Sequence, residues 1–84
     1  MKTTVGRIVH YYTKDVSKHQ NGQGIGPYPA IVLQNFHGSK YSNLKIMGFH
    51  KDWNEGSVEE LRINDDTQQS WWVWPPRVTE NHAP

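Results

Sequence analysis

Hydrophobic residues along this chain cluster in five short runs, and each run has the length and composition of a β-strand. The runs are rich in β-branched and aromatic residues, and turn-forming residues separate them, a pattern typical of strands joined by turns. The predicted strands are residues 5–12, 29–36, 43–50, 58–63 and 70–74. A short helical turn is the alternative for 58–63, but Gly56 and the polar cluster that follows bracket this run at strand length.

Side-chain alternation predicts which residues of a strand share a face. In the first strand, Val9 and Tyr11 lie on one face and His10 and Tyr12 on the other. The continuous apolar run 30–33 in the second strand predicts burial on both faces.

The last strand contains three tryptophans and is the strongest local signal in the sequence. Alternation places Trp72 and Trp74 on one face and Trp71 and Val73 on the other. One face must contribute to the core, and the other leaves an indole that can stack on a base, a cation or a partner. A ligand platform and a core with a dimer contact are the two interpretations, and we give them equal weight.

Residues 13–28 form a polar stretch with glycines at 22, 24 and 26 and no helical periodicity. We expect a long flexible loop, a kind of segment that is usually functional or disordered; one use for it is a mobile lid. Segment 22–26 superficially resembles a phosphate-binding loop, but such loops lead into a helix. Here a strand follows. The predicted turns are 37–40 and 51–56, with Trp53 at the tip of the second.

About five short strands at near-regular spacing predict an all-β fold, a small closed or nearly closed barrel. We favour an SH3-like barrel, because no helix typical of an OB-like barrel is visible between the middle strands; an OB-like barrel is the alternative. The predicted domain comprises residues 1–76, and residues 77–84 form a C-terminal tail.

Composition adds constraints on partners. The chain has 84 residues, of which four are Trp, and a core this small rarely hides them all. We therefore expect some indoles to contact a ligand or a second subunit, most simply in a homodimer. A net charge of +1 is unlike that of a duplex nucleic acid binder. The N-terminus does not resemble a signal peptide and no apolar run has membrane-spanning length, so we expect no membrane association.

Candidate catalytic and metal chemistry is weak in this sequence. There is no cysteine, and the five histidines lack a compact ligand spacing, so we predict no metal and no cofactor. The pairs Glu59–Glu60 and Asp65–Asp66 are adjacent in sequence, so within a strand their side chains would point to opposite faces. No nucleophile motif is present. We expect a protein that is not an enzyme.

Four sequence blocks carry a resemblance to a family of small, mostly uncharacterised proteins of tailed phages and prophages. The blocks are GRIVHY at 6–11, PAIV at 29–32, NL at 43–44 and WVWP at 72–75, and they span nearly the whole chain. Val73 stands where family members often have His. The resemblance implies a small β domain and a viral setting.

The function that we favour from the sequence is a phage-type binding protein in the host cytoplasm that sequesters a small nucleotide-like host immune signal. Such a protein needs aromatic platforms, cations for phosphate and polar groups for ribose, but no catalytic machinery. The alternative is a virion-decorating or protein-interaction module. The candidate ligand-binding residues are Arg7, His10, Tyr11, Tyr12, Arg62, Trp72, Trp74 and Arg77.

Overall fold

The computed structural model describes residues 4–20 and 22–76, and these residues form an all-β fold. Five strands follow one another: β1 Ile8–Thr13, β2 Tyr28–Asn35, β3 Tyr41–Ile46, β4 Trp53–Glu59 and β5 Ser70–Val73. A single 3-10 turn, Val16–Lys18, lies between β1 and β2. The predicted fold class is confirmed.

All neighbouring strands pair antiparallel in one sheet with the order β4-β3-β2-β1-β5. The sheet curls into a half-barrel, so that its two outer strands approach each other. Glu60, directly after β4, forms a parallel bridge with Trp72 of β5, and the Leu61 amide donates to the Trp72 carbonyl at 3.0 Å. This curled sheet is compatible with both of the expected architectures, a small SH3-like or OB-like barrel.

The core lies inside the curl and consists of the inward-facing residues of all five strands. Tyr11 and Trp72 are its largest fully buried side chains together with Tyr28. The Trp72 indole N–H donates to the carbonyls of Lys40 and Val58, both at 3.1 Å. Because these carbonyls belong to the β2–β3 connection and to β4, this one side chain ties β5 to the opposite wall of the barrel.

The prediction that 30–33 is buried on both faces is wrong. Ala30 and Val32 are fully buried, whereas Leu33 is 44% exposed on the opposite side of β2. The physical reason is the architecture: a curled single sheet has its core on one side only, so the outer face of β2 meets solvent among the described residues.

The predicted strand 58–63 and the turn 51–56 are shifted relative to the structure. Strand β4 covers Trp53–Glu59, so Trp53 begins a strand instead of capping a turn. Trp53 packs against Tyr11 and Tyr28 in edge-to-face contacts, while Ile63 of the predicted strand is 88% exposed. The third strand also ends four residues earlier than predicted, at Ile46.

Candidate ligand-binding site

The eight predicted ligand-binding residues do not form one site. Tyr11 and Trp72 have no exposed surface and belong to the core, so neither can contact a ligand while the fold is intact. The prediction of ligand contact is wrong for these two, because alternation does not say which face of a strand is the inner one. Arg77 lies outside the described residues.

Arg7 and Trp74 are the two predicted residues that the fold brings into direct aromatic–cation contact. The Arg7 guanidinium carbon lies 5.2 Å from the centre of the Trp74 ring, a favourable cation–π distance. Arg7 directly precedes β1 and is held by backbone pairing with β2, since its carbonyl accepts from the Val32 amide at 2.9 Å. Trp74 directly follows β5 and packs edge-to-face on Trp72, with ring centres 5.7 Å apart. The three side chains therefore form a column from core to surface.

The two outer members of this column, Arg7 and Trp74, have side-chain donors that are unpaired within the part of the chain that the structure describes. Arg7 forms no ion pair there, and its side chain is exposed. The Trp74 indole N–H is shielded and has no acceptor. The indole N–H of Trp72, which is buried beneath Trp74, donates to two backbone carbonyls. The surface end of the column thus carries an uncompensated positive charge beside an aromatic ring.

Arg62 lies elsewhere and is already compensated. Its guanidinium contacts Glu59 at 3.2 Å and Asp65 at 2.8 Å. Two adjacent carboxylates leave little net positive charge to attract a phosphate, so Arg62 fits a structural role in the segment between β4 and β5. Arg62 is therefore not part of the candidate site.

His10 and Tyr12 lie on the outer face of the sheet, next to β5. Tyr12 stacks on Trp71 with ring centres 5.7 Å apart and planes 12° from parallel. The Lys14 ammonium lies 5.8 Å from the Trp71 ring centre and donates to the Asp66 carbonyl at 2.6 Å. Trp71 is the outward-facing indole that sequence reasoning did not place among the ligand-binding residues. The tryptophan-rich run 71–74 indicated that an indole would be exposed, but it did not show which face of β5 is the outer one.

Among the described residues, no group of three or more His, Cys, Asp or Glu side chains is arranged to hold a metal ion. The same residues contain no helix with the length and hydropathy needed to cross a membrane.

Comparison with known proteins assigns no family to this chain. No protein-family model, curated protein or solved structure matches the chain.

Proposed function

We propose that this protein is a non-catalytic binding domain for a small phosphate-bearing, nucleotide-like ligand, with Arg7 and Trp74 as its site. The observation that carries the proposal is the unpaired Arg7 guanidinium held on the Trp74 ring. A guanidinium presents two parallel donors to a phosphate and binds it more strongly than a neutral donor would. The neighbouring indole offers a surface for the planar part of the ligand.

The site is supported from below, which limits the ordering cost of binding. Trp72 is held by its two hydrogen bonds, and Trp74 packs against Trp72. The backbone of Arg7 is fixed by pairing with Val32. A ligand would therefore meet an aromatic ring already in position and would order mainly the Arg7 side chain.

The resemblance to phage proteins gives this proposal its biological setting. In that setting the ligand is a host immune signal, the protein acts in the host cytoplasm, and binding without conversion sequesters the signal. The proposal needs neither cofactor nor metal.

Isothermal titration calorimetry against a panel of linear and cyclic nucleotides and ADP-ribose derivatives tests the proposal. Replacing Arg7 by Ala should weaken binding by about tenfold to a hundredfold, the range for a lost charge-assisted contact. Arg7→Lys should recover only part of the loss, because an ammonium keeps the charge but not the two parallel donors. Arg62→Ala is the matched control and should leave the affinity within about twofold.

Two results would overturn the proposal. The first is the absence of binding heat with every ligand of the panel at several temperatures. The second is an affinity that falls equally in Arg7→Ala and in the Arg62→Ala control. Recovery of a chemically altered nucleotide after incubation would instead identify the protein as an enzyme.

The outer face of the sheet favours a second candidate function, that of a protein-interaction module which pairs with a second copy of itself. Ile8 and Leu33 are 45% and 44% exposed there, and Ile8 lies directly opposite Ile31. None of the outward positions of β1, β2 and β5 is Asp or Glu. Two such faces can therefore meet about a twofold axis without burying a carboxylate.

Sedimentation velocity at micromolar concentration tests this self-association. The wild-type chain should sediment as a dimer and Ile8→Glu as a monomer, since the variant would bury two unpaired carboxylates at the interface. Ile63→Glu, at a residue 88% exposed outside the sheet, is the control and should not change the sedimentation coefficient. A monomeric wild-type protein would rule this candidate out.

A further inference from the structure

A cavity of about 280 Å³ lies between the long loop after β1 and the β3–β4 connection. It is independent of the Arg7–Trp74 site, because it is found at the other end of β1, where His19 contacts the Thr13 carbonyl. The cavity is lined by Ser17, Lys18, His19, Gln20, Lys51 and Trp53. None of these residues was selected as a ligand-binding residue from the sequence.

Gln20 builds the cavity by fastening its two walls together. Its side-chain carbonyl accepts from the amides of His50 at 2.6 Å and Lys51 at 3.2 Å, and its amide group donates to the Lys51 carbonyl at 2.8 Å. The Gln20 backbone amide donates to the Tyr28 hydroxyl, which in turn donates to the Gly24 carbonyl. The described part of the loop expected to be flexible is thus folded onto the barrel, and the cavity is formed before any ligand arrives.

The two lysines that line the cavity differ in their ion pairing. Glu55 pairs with Lys18 and also accepts from the Trp53 indole N–H at 2.8 Å. The hydrogen bond that the Lys18 ammonium donates to Glu55 raises the pKa of Lys18, so Lys18 stays charged. Lys51 has no ion pair within the described residues. The residues that line the cavity therefore include one lysine whose charge has no ion-pair partner among the described residues.

His19 adds a polar group whose proton position follows from its contact. Its Nε2 atom lies 2.7 Å from the Thr13 carbonyl oxygen, and because a carbonyl can only accept, Nε2 must carry the proton. The ring is held by this bond, and Nδ1 is its second polar atom. The residues around the cavity thus supply an indole, an imidazole held in place and a lysine without an ion pair, while the Ser17 hydroxyl donates to Asp15 at 2.7 Å. A planar ring with one anionic group suits this set.

We propose that this cavity binds a small organic anion, with a planar ring against Trp53 and one oxyanion group, carboxylate or phosphate, on Lys51. The volume is just below the lower end of the range for small-molecule pockets, so the ligand consists of about one ring and its anionic group. This inference does not depend on the function proposed for Arg7 and Trp74.

Two-dimensional NMR of the indole N–H groups tests the inference with three probes: phenyl phosphate, benzoate and the neutral benzyl alcohol. The Trp53 N–H signal should shift in a saturable way with phenyl phosphate, benzoate or both, and which of them binds more tightly identifies the preferred oxyanion. Benzyl alcohol should bind at least about tenfold more weakly. Lys51→Glu should abolish the shift, because it places a carboxylate where the ligand's oxyanion would bind.

The control variants separate this site from the rest of the protein. Lys45→Glu makes the same charge change on the exposed part of β3 and should leave the titration unchanged within about twofold. Arg7→Ala should also leave it unchanged, even if the nucleotide site fails. The inference is wrong if neither anion moves the Trp53 signal up to about 10 mM, the weak end of specific affinity, or if Lys51→Glu titrates like wild type.

Discussion

Exchanging single tryptophans for phenylalanine at positions 71 and 72 tests which face of β5 supports the fold. Trp72→Phe removes the indole donor from two carbonyls, each 3.1 Å from the indole nitrogen, and the bond to Val58 is fully buried. The Lys40 carbonyl keeps the Glu60 amide as a second donor at 3.0 Å. A buried carbonyl left without a donor costs about 1–3 kcal/mol, and the space left by the smaller ring adds about 1 kcal/mol. We expect a loss of about 2–4 kcal/mol in the free energy of unfolding.

Trp71→Phe is the matched control on the neighbouring residue. Trp71 is only partly buried, and a phenylalanine ring keeps its stacking partner Tyr12, so the loss should stay below about 1 kcal/mol. An 84-residue domain has roughly 4–13 kcal/mol in total, so the loss expected for Trp71→Phe leaves the domain folded, whereas the loss expected for Trp72→Phe is a large part of the total.

Urea unfolding followed by far-UV circular dichroism measures both losses independently of tryptophan fluorescence. The midpoint should fall much further for Trp72→Phe than for Trp71→Phe, with the denaturant slope unchanged. An equal or larger loss in Trp71→Phe would refute the assignment of the inner face and with it the column that supports Trp74.

Three further outcomes follow from the structure. Burial raises the pKa of the Tyr11 hydroxyl above its ordinary 10.0. The hydroxyl therefore loses its proton at lower pH in the unfolded state than in the folded state, and the free energy of unfolding should fall as the pH rises above about 10. Urea unfolding from pH 8 to 11 should show a smaller fall in the free energy of unfolding for Tyr11→Phe than for wild type. Hydrogen bonds from Ser17 lower the pKa of Asp15, so the contribution of the Asp15 carboxylate to stability is lost as the pH falls through that lowered pKa. Ser17→Ala should raise the Asp15 pKa, measured by NMR of its carboxyl carbon. Gly26→Ala should lower the free energy of unfolding by about 1–3 kcal/mol more than Gly22→Ala, measured by urea unfolding. Both glycines have positive φ, but only a methyl group added at Gly26 would meet a backbone oxygen, that of Tyr11 at 2.8 Å. Equal losses in the two variants would contradict this.

The sequence predicted the strands whose residue types already favour extended structure. β1 and β5 are dominated by β-branched and aromatic residues, and β2 contains the continuous apolar run 30–33, so local preference and the final fold agree. β4 was misplaced because its middle contains Asn54, Gly56 and Ser57, which are poor strand formers. This strand exists through pairing with β3 and through inward packing of Trp53 and Val58, and neither of these tertiary effects is visible in a local window.

The candidate site could be predicted only in part, for a related reason. Alternation grouped Trp72 with Trp74 correctly, but the depth of each ring depends on where the barrel ends. Trp72 is fully buried, whereas Trp74 follows the end of β5 and is only partly buried, beside Arg7. The contact between Arg7 and Trp74 arises from pairing of the first strand with the last one. Only the three-dimensional order of strands brings these two residues together.

Net charge is a poor guide to this surface because its charges are segregated along the chain. Between residues 4 and 50 the only carboxylate is that of Asp15, although the same stretch contains several lysines and an arginine. Most of the other acidic side chains lie between residues 52 and 66, in β4 and the segment after it, where they pair with cations such as Arg62. The near-neutral total therefore combines a basic β1–β3 region with an acidic β4 region. Because a local field depends on nearby charges and falls off within about 10 Å in salt, Arg7 can attract an anion although the whole protein carries almost no charge.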